Sequence, residues 1–144
     1  MTKARAAARL AAVQALYQFE MQATRLPRLL DEFHQHRLGA EIEDMQFAKA
    51  ETVFFDDVVS GVIARRDEVD AVISGKLAEG WSLERLDRTM LQILRAGTYE
   101  LMARADVPTG SAISEYVDVA HAFFEAREAK FVNGVLDAVA KSVR

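Results

Sequence analysis

The 144-residue chain contains no cysteine, only two prolines and seven glycines, and a single tryptophan. Without cysteine there is no disulfide, no zinc–thiolate centre and no thiol nucleophile, and the composition suits a reducing compartment. Scarce glycine and proline leave little turn material for a sandwich or a barrel. By contrast, 24 alanines, one residue in six, favour helix, so the expected fold class is all-α. No apolar run approaches the ~20 residues that a membrane-spanning helix needs. The basic start at residues 1–5 does not lead into the apolar stretch of a secretory leader, because Arg9 and Gln14 interrupt it. A cytoplasmic protein is expected, and at this length the chain is expected to bury roughly 68–70% of its unfolded surface in one domain spanning 1–144.

Catalytic constellations are equally scarce. No glycines are spaced as in a dinucleotide or phosphate loop, and neither a G-x-S-x-G turn nor an H-E-x-x-H pair occurs. His34 and His36 are two apart and so point in different directions on a helix, which makes them a poor metal pair. Adjacent acids such as Asp56 and Asp57 fit the wet side of an amphipathic helix. The reading is a non-enzyme without metal or cofactor.

Charge is present but unevenly placed. The net −4 divides into +3 over residues 1–19, −9 over 20–126 and +2 over 127–144. Basic ends on an acidic body can meet a polyanion locally while the remaining surface repels it; they are also compatible with ordinary solvated ends.

Periodicity supplies the elements. Leu10, Val13, Tyr17 and Met21 form one helical stripe in the first segment, while Arg5 and Arg9, followed by Ala12 and Leu16, share another face. A shorter helix is expected to open at 24–27, where Pro27 suits a first turn, and to close at Gly39, with 41–44 as a loop. Phe54, Phe55, Val58, Val59, Val62 and Ile63 mark a long helix ending near Arg66, and Val69, Val72, Ile73 and Leu77 mark a further amphipathic stretch running to Gly80. Ser82 is the expected N-cap of a central helix carrying Leu86, Met90, Ile93, Leu94 and Leu101 to about Ala103. After a turn at 106–110, Ile113, Val117, Ala120 and Phe124 mark another helix, which periodicity alone would extend to Lys141.

Several blocks are distinctive together: Arg9-Leu-Ala-Ala-Val-Gln-Ala-Leu-Tyr-Gln18, Ile93-Leu-Arg95, Tyr99-Glu-Leu101, Asp106-Val-Pro108, Ala112-Ile-Ser-Glu115 and Lys130-Phe-Val-Asn-Gly-Val-Leu-Asp137. Over nearly its whole length the chain resembles the NusB family of bacterial transcription antitermination factors. The resemblance implies about seven helices in two packed helical bundles, one near 1–80 and one near 81–144, with a helix break near 125–127. It also implies binding of the single-stranded boxA element of ribosomal RNA leader transcripts. The expected partners are NusE, a small-subunit ribosomal protein, and the elongating RNA polymerase with other Nus factors. Some relatives form homodimers, so a homodimeric interaction module with weak RNA binding is the alternative.

Carried onto this sequence, the family's basic amino-terminal segment matches Lys3, Arg5 and Arg9. Alanines stand at 6, 7 and 8, where further arginines often occur. Three phosphate contacts would give a salt slope of only about −2. As solvent-exposed cations, Arg5 and Arg9 are expected to matter little for folding. Tyr17 can stack a base or belong to the core. Phe131 can stack or pack, Lys130 can meet a phosphate, and Asn133 can contact a base edge or tie down a loop. Arg127 adds charge beside Lys130. Gly134, inside a helix, suggests close approach of another helix. The cations of both chain ends are expected to converge on one ledge that grips unpaired RNA.

Overall fold

The computed structural model describes residues 3–35 and 45–144, with side chains at 4–35 and 51–144. Among the described residues there are seven α-helices and no strand: α1 Lys3–Gln22, α2 Leu26–Phe33, α3 Met45–Ala64, α4 Arg66–Ser74, α5 Arg88–Ala103, α6 Thr109–Phe123 and α7 Ala126–Val143. The expectations for Gly39 and for the loop at 41–44 lie outside the described residues, as does His36. The helix break in the Phe124–Phe131 region is real: Phe124 and Glu125 are both extended, with φ/ψ of −136°/176° and −91°/178°.

Helix α5 is the axis of the fold. Every residue from 90 to 101 is buried, and α1, α3, α4, α6 and α7 all pack on it. Its start differs from the expected one. Ser82 precedes a short 3-10 turn, Leu83–Arg85, and Asp87 caps α5, its Oδ1 accepting from the backbone N–H of Thr89 at 2.8 Å and of Met90 at 3.1 Å. The cap sits where the chain enters the core, and that point lies five residues after Ser82 because the 3-10 turn intervenes. The other end is closed by Arg144, whose guanidinium donates to the carbonyls of Leu101 (2.9 Å), Arg104 (2.8 Å) and Val107 (2.7 Å). A cation there offsets the negative end of the helix dipole as well as satisfying orphan carbonyls.

Close helix approach falls on different glycines from the one the sequence suggests. Gly134 is exposed, and a Cβ added there would meet nothing within 4 Å. At Gly97 on α5 an added Cβ would lie 2.8 Å from a Leu136 methyl, and at Gly61 on α3 it would lie 2.1 Å from the Tyr99 ring. These two positions let α7 and the Tyr99 side chain reach the core surface. Gly134 lies on the outward side of α7 and carries only the conformational cost of glycine in a helix.

The Tyr99 hydroxyl donates to Asp57 Oδ1 at 2.6 Å. Burial, then the hydrogen bond and charge of Asp57, push its ionisation up to about 12; Tyr116, fully buried beside Glu100, is raised as well. Between the ordinary phenol value near 10 and the folded value, the unfolded chain binds fewer protons than the native one, so stability falls as pH rises through that window. Melting temperature followed from pH 9 to 12 should therefore decline, and Tyr99→Phe should reduce the steepness of that decline. An unchanged slope in this variant would show that Tyr99 titrates normally in the fold.

Candidate nucleic-acid interface

The amino-terminal arginines do not form an open cationic surface. Arg9 is fully buried: its Nε and Nη2 donate to the two carboxylate oxygens of Glu100 at 2.8 Å each. The Tyr116 hydroxyl donates to the same carboxylate, and Glu115 comes within 4.0 Å of the guanidinium. Burial opposes the Arg9 charge, but the hydrogen bonds and charge of Glu100, with Tyr116 and Glu115, outweigh it and hold the guanidinium above its ordinary value. This corrects the expectation of a solvent-facing Arg9. The face of α1 that carries Arg5, Arg9, Ala12 and Leu16 is the one that turns inward, and Tyr17 and Met21 turn out. Small alanines at 8, 11, 12 and 15, all buried, allow α1 to pack closely against its neighbours.

Arg5 is paired too. It lies 3.5 Å from the Glu51 carboxylate and 4.4 Å above the Phe54 ring. The guanidiniums of Arg9 and Arg104 approach the same ring at 4.9 and 5.1 Å, and Arg104 pairs with Asp57 and Asp106. Carboxylates thus match these three cations around one buried phenyl ring. The side chain of Lys3 lies outside the described residues.

The second basic group is elsewhere. Glu100 lies near the carboxyl end of α5. Phe131 and Arg127 border the same groove as Met90, in the first turn of that helix. Ten residues of helix separate Met90 from Glu100, about 15 Å at 1.5 Å per residue. Arg127 and Lys130 therefore do not share a ledge with Arg5 and Arg9, and that expectation is corrected; the carboxyl-terminal cation at the Arg9 end is Arg144, which is engaged with backbone carbonyls. Long-range pairing decides it: the cluster around Glu100 draws Arg9 to one end of α5, while the α6–α7 turn places Arg127 and Lys130 at the other.

At this other end, the structure gathers aromatic side chains around two depressions. One is a cleft of about 290 Å³ lined by Val13, Gln14, Tyr17, Gln18, Gln22, Phe33, Thr89 and Phe123. Tyr17 and Phe123 are 39% and 42% exposed, so both rings are open to solvent from opposite helices. Three glutamines place amides along the α1 wall; Gln18 Nε2 already donates to Thr24 Oγ1 at 3.3 Å and to Glu32 Oε2 at 3.2 Å, so Gln18 offers its carbonyl to the cleft. The other is a groove of about 730 Å³, with a surface that is almost entirely apolar, bordered by Trp81, Leu86, Met90, Phe124 and Phe131 and rimmed by Arg85, Asp87, Arg127 and Glu128. The Arg85 guanidinium lies 5.6 Å over the Trp81 ring and donates to Gly80 O at 2.6 Å, which holds the α4–α5 connection as one wall.

Among the residues singled out from sequence, Tyr17 lines the cleft, and Arg127 and Phe131 line the groove. Arg127 has a 93% exposed side chain. Lys130 and Asn133 are exposed on the outward side of α7, away from the ring of Phe131. Phe123, Trp81 and the three glutamines were not singled out. Spacing gave no signal for Phe123: it follows Tyr116 and Val119, both buried, at helical spacing, and it is exposed because α6 ends there.

Glu20 ties the cleft to the core. Its carboxylate accepts from Gln92 Nε2 at 2.8 Å and from Arg95 at 3.2 Å, and Arg95 grips Asp70 of α4 through two bonds of 2.8 and 2.9 Å. One turn before Glu20 stands Tyr17, so this network fixes the end of α1 that carries the ring. No group of three or more metal-ligating side chains is assembled among the described residues, and no described helix is long and apolar enough to cross a membrane.

Fold and surface together define an all-α domain with two adjoining depressions, an aromatic, amide-lined cleft and an apolar groove. Residues 6–141 match the NusB family, and the chain belongs to it. The transcription antitermination protein NusB of Novosphingobium aromaticivorans is 76% identical over 142 residues, covering 99% of this chain and 96% of that protein. Its counterpart in Sphingopyxis alaskensis is 66% identical, covering 99% and 95%. Among solved structures, a chain in the crystal structure of antitermination factors NusB and NusE in complex with dsRNA superposes with a TM-score of 0.81 at 25% identity, over 99% of each chain. T. maritima NusB superposes with a TM-score of 0.78 at 32% identity, covering 98% of this chain and 93% of its own.

Proposed function

We propose that this protein is a cytoplasmic transcription antitermination factor that binds the boxA RNA of ribosomal RNA leader transcripts together with NusE and joins the elongating RNA polymerase complex. The observation that carries the reading is the pair of solvent-open rings, Tyr17 and Phe123, in one amide-lined cleft. Unpaired bases stack on such rings for about 1–3 kcal/mol each, and glutamine amides can read base edges. Arg127 and Lys130 lie on the same end of the molecule and serve the RNA backbone where it leaves the cleft. Arg5, already paired, and Asn133, which does not line the cleft, contribute less.

The groove takes the protein partner. Its apolar surface offers little to a phosphate chain but suits apolar side chains of a protein, with mixed charges on the rim to orient them. NusE is the occupant assigned to it, which gives Phe131 a protein contact rather than a base. The family-wide division into bundles at about 1–80 and 81–144 is retained as the proposed organisation of the chain.

A titration of fluorescein-labelled boxA RNA, with and without NusE at two salt concentrations, tests this reading. Binding tighter than to a scrambled RNA of the same length, and tighter still with NusE, is expected. Binding no better than to the scrambled RNA even with NusE present would overturn it in favour of a homodimeric interaction module.

A further inference from the structure

The cleft and the groove share no lining residue, yet two pairs of consecutive residues straddle them. Thr89 lines the cleft and Met90 the groove; Phe123 lines the cleft and Phe124 the groove. The first pair lies inside the rigid first turn of α5. The second is different, because α6 ends at Phe123 and α7 begins at Ala126. The turn between them has two extended residues, and the Phe124 N–H donates to Ala120 O at 2.8 Å. Glu125, the N-cap of α7, makes no side-chain capping bond. The Glu125 carbonyl accepts from the Ala129 N–H at 3.2 Å; beyond these two backbone bonds, the Phe124 ring, half-buried against the core at the edge of the groove, holds the turn. The ring of Phe123 stands 6.4 Å from it, tilted by 53°, and is 42% exposed.

We propose that Phe124 is the positioning residue through which a protein seated in the groove sets the Phe123 ring opposite Tyr17, so that partner binding tightens RNA binding. The inference rests on the assignment of cleft to RNA and groove to NusE given above. A side chain packed on Phe124 removes its freedom, and with it the freedom of the two-residue turn. The ordering cost of presenting Phe123 is then met before RNA arrives, and two ligands that each benefit from the same ordering bind with positive cooperativity.

The test measures RNA affinity by fluorescence anisotropy with fluorescein-labelled boxA RNA, in the absence and presence of saturating purified NusE. The readout is the ratio of the two dissociation constants, which a uniform loss of stability does not change. For the unaltered protein the ratio is expected to be at least about fivefold, the lower end of ordinary coupling between sites. Phe124→Ala is expected to bring it below about twofold, Phe124→Tyr to restore it, and Phe123→Ala to weaken RNA binding in both conditions. Should Phe124→Ala fail to melt cooperatively, Phe124→Leu replaces it, with the same expected loss of ratio. A Phe124 variant that keeps the full ratio overturns the proposal, as does an unaltered protein whose RNA affinity ignores NusE. In the latter case, preference for boxA over scrambled RNA still separates failure of the coupling from failure of the RNA-binding reading.

Discussion

Replacing Arg9 with alanine should lower the free energy of unfolding by about 3–5 kcal/mol, the usual loss when one partner of a buried ion pair is removed. For a chain of this size that corresponds to roughly 10 °C or more in melting temperature. The cause is what the substitution leaves behind. Glu100 is fully buried, and both its oxygens accept from Arg9 at 2.8 Å; without the guanidinium the carboxylate keeps, among the described residues, the Tyr116 hydroxyl as its hydrogen-bond donor and stays out of water. Lysine should recover part of the loss, since it restores the charge but not the two-pronged geometry. Arg9→Met combined with Glu100→Leu should cost less than Arg9→Ala alone, because no charge is left unpaired. Arg5→Ala should cost an intermediate amount, about 1–3 kcal/mol, because the guanidinium is itself partly exposed but its partner Glu51, at 3.5 Å, has only a 6% exposed side chain and is left buried without its counter-charge. Urea denaturation of the four variants provides the check: an Arg9→Ala protein with an unchanged midpoint would mean that the Glu100 cluster does not hold the native fold.

The same arginine shows where sequence reasoning stops. Helices α1 and α5 were legible from the spacing of their apolar residues, in α5 Met90, Ile93, Leu94 and Leu101. Which face of α1 points inward was not legible. Both faces carry apolar residues, and the partner that makes an inward arginine tolerable is 91 residues away. An ion pair across that distance leaves no periodic trace in a single sequence. The glycine inference failed for a related reason. A glycine in a helix marks close approach only if its face is turned to a neighbour, and Gly97 satisfies that condition where Gly134 does not. The α5 cap was misplaced because Ser82 and Asp87 are both good caps by type, and only the intervening 3-10 turn selects between them. In the candidate site, the resemblance led to Tyr17, Arg127 and Phe131. Separating their surroundings into a cleft and a groove required knowing that the α6–α7 turn ends beside the first turn of α5.

Tyr17→Ala and Phe123→Ala should each weaken boxA binding on the order of 5- to 100-fold, the equivalent of about 1–3 kcal/mol for a lost base–aromatic stack, while hardly altering the melting temperature. The two rings are 39% and 42% exposed and neither belongs to the core or packs against it, so truncating them opens no enclosed cavity. Stacking releases no counterions. The dependence of log affinity on log salt should therefore keep its unaltered slope in both variants, whereas Arg127→Ala, if its 93% exposed side chain meets a phosphate, should flatten that slope by about 0.7. The double aromatic variant is the sharper measurement. If the two rings clasp the same base from opposite walls of the cleft, the loss on removing both will be smaller than the sum of the single losses, because either truncation already frees that base. Strict additivity would place the rings on separate nucleotides. Unaltered affinity in both single variants would remove the cleft from the RNA path altogether.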